Sequence, residues 1–155
     1  MLNKKLIALA ATAIIGTSLF VGCGAKEETT TNEAPAATEA FTGEKTGEVK
    51  GEKDTTVAVV TFENGKPVSV EIDSVDAEGA KKSELSASGA YDMKNDGMKW
   101  HEQIDALEEA IVANEFDLSK INLTDEEGHT DAVAGVSIKV GTCVEAVQNA
   151  LDQVK

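Results

Sequence analysis

From Val68 to Asp73 apolar and polar residues alternate, with Val68, Val70 and Ile72 facing one way and Ser69, Glu71 and Asp73 the other. A period of two puts successive side chains on opposite sides of an extended chain, so this stretch predicts a half-buried strand. Thr55 to Phe62 is rich in Val and Thr, which suit a pleated surface, and predicts another. Between them stands Glu63-Asn64-Gly65-Lys66. Asn-Gly tolerates the positive φ angles of a type I′ turn, so the two strands are expected to form a β-hairpin. Thr46 to Glu52 adds a candidate edge strand, weakened by its glycines and charges.

The period then changes. Trp100, Ile104, Leu107 and Ile111 recur at spacings of four, three and four, with Glu102, Asp105, Glu108 and Glu109 elsewhere around the turn. This predicts an amphipathic helix from about Met98 to Asn114. Asp76 to Asp96, polar and containing Gly79 and Gly89, is expected to be an irregular connection. Phe116, Leu118, Ile121 and Leu123 are expected to pin a polar connection to the core, and Thr124 to Thr130 reads as an acidic loop. Asp131 to Gly141 is expected to be extended at Ser137 to Val140, before a last helix that aligns Val144, Val147, Leu151 and Val154. Together these elements predict an α+β domain over residues 46–155, an antiparallel β-hairpin or sheet packed with two amphipathic helices.

The N-terminal pattern is of another kind. Lys4 and Lys5 precede an apolar run from Leu6 to Val21, followed by Gly22 and Cys23, which is the layout of a secretory leader. The run is interrupted at Gly16, Thr17 and Ser18 and is shorter than the ~20 residues a spanning helix needs. Leu19-Phe20-Val21-Gly22-Cys23 resembles the lipobox of bacterial lipoproteins, with Phe20 where Leu is usual. The resemblance implies cleavage after residue 22 and diacylation of Cys23, so that the chain is lipid-anchored to the cell membrane on its extracytoplasmic face. Two acyl chains hold a protein stably on a bilayer where one does not. Residues 23–45, rich in Glu, Thr and Ala with no apolar period, are expected to be a flexible tether spanning on the order of 25 Å.

Charge narrows the partners. The chain carries 28 acidic residues against 14 basic ones, a net charge of −14, and every basic residue is Lys. Such a surface repels phosphate backbones and lacks the guanidinium forks that grip them, so nucleic acid is excluded as a partner. With Cys23 consumed by lipidation, Cys143 has no disulfide partner, and the fold rests on its core. Cys143 is expected in the first turn of the last helix, as a small buried apolar residue or as a thiol lowered by the helix dipole.

The segment Asp131-Ala132-Val133-Ala134-Gly135-Val136-Ser137 before a final helix, the Asn64-Gly65-Lys66 hairpin and the Trp100 to Ile111 helix together resemble the flavin mononucleotide (FMN) binding domains of exported electron-transfer proteins. Members with covalent flavin carry Asp, two variable residues, Ser or Thr, Gly, Ala, then Thr or Ser, whose hydroxyl forms a phosphoester with the cofactor. Asp131, Gly135 and the Ser137 hydroxyl match this motif, whereas Ala134 and Val136 stand where the family has a hydroxyl residue and alanine. The resemblance implies FMN held at Asp131, Ala134, Gly135, Val136 and Ser137, and linked through Ser137. It also implies an electron carrier rather than a substrate-turning enzyme. Its partners would be a flavin transferase that loads it and a quinone- or NADH-linked membrane dehydrogenase that reduces it. The competing expectation is a cofactor-free surface lipoprotein in adhesion or signalling, or a precursor whose leader matures into a peptide pheromone.

His101 and His129 have no Cys or His at ligand spacing and are expected to be surface residues, with no metal bound. Asp125, Glu126 and Glu127 lack the alternating oxygen spacing of a calcium loop and are expected to be solvated. Ser83, Ser86 and Ser88 stand in no hydrolase motif. Tyr91 and Trp100 are candidates either for stacking on an isoalloxazine ring or for core packing.

Overall fold

The computed structural model describes residues 40–93 and 97–155. The leader, Cys23 and the expected tether up to residue 39 lie outside the described residues. Three antiparallel strands, β1 (Gly43–Lys50), β2 (Asp54–Glu63) and β3 (Lys66–Asp76), form one sheet in the order β1-β2-β3. Three α-helices complete the fold, α1 (Lys82–Ser88), α2 (Trp100–Ala113) and α3 (Gly141–Leu151), with short 3₁₀ turns at Leu118–Ile121 and Asp152–Val154. The domain is α+β, as the sequence predicts.

The hairpin turns at Asn64 and Gly65, whose φ angles of 50° and 76° are both positive, as a type I′ turn requires. Pairing fixes the faces. Gly47, Ala58 and Ile72 lie in one row, so Thr56, Ala58, Val60 and Phe62 of β2 share a face with Val70 and Ile72 of β3. That face is buried against Trp100, Ile104, Leu107 and Ile111 of α2 and Cys143, Ala146, Val147 and Ala150 of α3.

The first strand starts at Gly43, three residues ahead of the expected edge strand, and Phe41 packs edge-on to Phe62 with ring centroids 5.9 Å apart. Gly47 explains why a strand holds a glycine at its centre. A Cβ there would lie 1.9 Å from the Ala146 carbonyl oxygen, so α3 rests directly on the β1 backbone. Side chains meet some of the outward groups on both sheet edges. Asn149 Nδ2 and Gln153 Nε2 donate to the outward carbonyls of Glu48 and Thr46 at 3.2 and 2.7 Å, and the Ile72 amide on the β3 edge donates to Glu108 Oε1 at 2.6 Å. Edge groups satisfied in this way no longer invite pairing with another strand.

Two expectations are corrected. Asp76 to Asp96 is not wholly irregular, because it contains α1. That helix has no local side-chain cap. Asp73 on β3 accepts from the Ser83 amide at 3.1 Å and from the Ser83 hydroxyl at 2.6 Å, a cap supplied from the sheet. Ser137 to Val140 forms no strand, since its outward groups bond to a helix side chain instead of to the sheet. Among the described residues no helix is long and apolar enough to cross a membrane.

Candidate functional site

The loop 131–140 is held from both ends. Leu123 and Thr130 form an isolated bridge, the Thr130 hydroxyl donates to the Ile121 carbonyl, and the Val140 amide donates to Gly128 O at 2.7 Å. Val133 and Val136 point into the core, and Val136 N donates to Val133 O at 3.2 Å to make the turn between them. Gly135 sits at φ +84°, and a Cβ built on it would lie 2.4 Å from Met98 Sδ. The glycine thus serves a left-handed turn and lets the loop press against the segment leading into α2.

Gln103 organises the loop. It is fully buried on α2, and its Oε1 accepts from Ser137 N at 2.7 Å, Ile138 N at 3.1 Å and Ser137 Oγ at 3.3 Å. Its Nε2 donates to Met98 O at 2.8 Å and approaches Met93 Sδ at 3.7 Å. One amide group therefore ties Ser137 to the Met93 and Met98 segments. A signal for it existed: Gln103 interrupts the apolar stripe of α2 between Trp100 and Ile104, and a polar residue on a core stripe needs a built partner set.

Those segments border a cleft of about 300 Å³ lined by Gly89, Tyr91, Asp92, Met93, Gly97, Lys99 and Trp100. Lys82 Nζ stands 4.7 Å from the Tyr91 ring centroid and 5.2 Å from that of Trp100, so a cation lies against both rings. His101 is corrected from a surface residue to a half-buried brace: its Nδ1 is 2.9 Å from the Oγ of fully buried Ser86, locking α1 to the start of α2.

The expected flavin residues divide. Ser137, Ala134 and Asp131 are exposed, Gly135 packs on Met98, and the Val136 side chain belongs to the core, where it is out of reach of a ligand. Asp131 lies near Asn122, with Oδ1 3.5 Å from Nδ2, and does not line the aromatic cleft. Among the described residues no three His, Cys, Asp or Glu side chains are grouped to hold a metal. Asp125 bonds within its own loop to the His129 amide at 3.0 Å and ring at 2.7 Å, which holds its carboxyl below the ordinary carboxylate range. Cys143 is in the first turn of α3, where burial outweighs the Thr142 hydrogen bond and the Lys82 charge and pushes the thiol up to about 12.

The comparisons with known proteins bear on the fold. A Clostridium thermocellum protein solved by solution NMR is similar at a TM-score of 0.54 and 29% identity, over 72% of this chain and 90% of that one. No protein-family model matches the chain, and no curated protein matches it.

Proposed function

We propose that the chain is a membrane-tethered extracytoplasmic carrier of FMN in electron transfer, anchored through Cys23 and carrying its flavin at Ser137. The observation that supports this reading is the exposed Ser137 hydroxyl, set at the loop leading to α3 and joined through Gln103 to a cleft with two aromatic rings. Among the described residues no buried side-chain nitrogen or oxygen lacks a partner, so no orphaned polar group in the core calls for a ligand. Gln103 Oε1 accepts from the Ser137 and Ile138 amides and, at the longer distance of 3.3 Å, from the Ser137 hydroxyl, which is the group of the three that can form a phosphoester. Lys82 and Lys99 supply positive charge next to the cleft, against the one acid in its lining, Asp92. Bound there, the isoalloxazine would supply one- and two-electron redox chemistry, and the protein would orient it and hold it near the membrane.

The test is co-expression of the full chain with a flavin transferase in an exporting host. A yellow protein absorbing near ~450 nm, with a mass increment of one FMN that Ser137→Ala abolishes, is the expected result. A colourless protein whose mass is that of the lipidated polypeptide would overturn it. That outcome selects the second reading, a cofactor-free surface lipoprotein, which is favoured by the completeness of hydrogen bonding around Gln103.

A further inference from the structure

The sheet face turned away from the core carries Val57, Val59 and Val75, half-buried and outside the core cluster. These valines floor a groove of about 370 Å³ that wraps over the β3 edge to α2. Its walls carry the acids Glu71, Asp73, Asp105 and Glu108 against one cation, Lys81; Asp73 caps α1 and Glu108 accepts from Ile72, while Glu71 and Asp105 are exposed. Among the described residues none of the four carboxylates is in an ion pair.

We propose that this groove is the docking site for a partner protein segment in which lysine or arginine alternates with apolar residues. Apolar side chains would cover the valine floor while the cations meet the carboxylate walls, a complementarity that favours encounter and fixes orientation. Other occupants fit the charge less well. An anionic membrane surface is repelled, and residues 24–39 of the same chain carry Glu27, Glu28, Glu33 and Glu39 against Lys26 alone. Addition of a strand to β3 is blocked, because its Ile72 and Ser74 amides donate to Glu108 at 2.6 Å and Asp73 at 2.8 Å. Recognition therefore proceeds through side chains. The inference does not depend on flavin content.

The experiment is fluorescence anisotropy of a labelled nonapeptide of alternating lysine and leucine, titrated with the purified full chain, beside the same peptide with glutamate for lysine. The basic peptide is expected to bind, weakening as salt rises, and the acidic one not to bind. Glu71→Gln with Asp105→Asn, both exposed in the fold, is expected to weaken binding at least tenfold. Glu126→Gln with Glu127→Gln removes equal charge from the remote 124–130 loop and is expected to leave binding unchanged. Val59→Lys, which places a cation in the groove, is expected to abolish it. Equal weakening by the two double variants, no weakening by either, or Ca²⁺ binding at these acids without peptide binding would each overturn the proposal.

Discussion

Replacing Gln103 by leucine keeps the volume of the α2 stripe but strips the acceptor from Ser137 N, Ile138 N and Ser137 Oγ. Leaving half-buried amides without partners costs about 1–3 kcal/mol, so Gln103→Leu is expected to lower the urea midpoint by that stability. A further expected outcome is faster amide exchange at residues 137 and 138, because the loop loses its clamp. An unchanged midpoint and unchanged exchange would show that the loop is held by Val133 and Val136 alone. Cys143 offers a second check at this scale. Its thiol, buried and pushed up to about 12, stays protonated at neutral pH. Alkylation by iodoacetamide at pH 8, mapped by mass spectrometry, is expected to spare Cys143 in the folded chain and to modify it in urea. Modification in the native state at the unfolded rate would mean that α3 opens readily.

At the scale of elements, Gly47 decides how α3 lies on the sheet. Gly47→Ala would usually favour a strand, yet here its Cβ would meet the Ala146 carbonyl oxygen at 1.9 Å and Ala150 N at 2.6 Å, both rigid backbone atoms. The helix must lift from β1, and a loss of about 3 kcal/mol in thermal or urea unfolding is expected. A neutral substitution would show that β1 is not seated under α3. The same glycine marks what the sequence made legible. The hairpin and α2 were readable because their signals are local: Asn64-Gly65 for the turn, and the Trp100 to Ile111 stripe for the helix. Helix α1 was not, since its cap comes from Asp73 on the preceding strand and its one fully buried residue is a serine, Ser86. At the candidate site, Asp131, Gly135 and Ser137 could be singled out by spacing, but not their fates. Gly135 presses on Met98, Val136 turns into the core and Gln103 occupies the loop amides, all consequences of contacts between segments distant along the chain.

The molecule as a whole carries 28 acids, and its stability should respond to pH wherever folding crowds them. Glu108 is the clearest case. Burial, opposed by the Ile72 amide and reinforced by Asp105, Glu71 and Asp73, raises its carboxyl from 4.5 to about 7. Lys81 also lines the groove that it faces. Because the folded value lies above the unfolded one, the folded state binds the proton more tightly. The contribution is fully present below about pH 4.5 and is lost as pH rises through about 7. For a side chain this exposed to solvent, screening reduces the effect to about 1–2 kcal/mol. Glu108→Gln keeps an oxygen to accept from Ile72 and cannot ionise. Its unfolding free energy is therefore expected to exceed that of the native chain by this amount at pH 8, and the two are expected to converge near pH 4.5. Urea melts at pH 4.5, 6, 7 and 8 measure the difference. Parallel curves across that range would mean that the Glu108 carboxyl titrates alike in the folded and unfolded chain, and that water reaches the β3 edge where the fold places this carboxylate against Ile72.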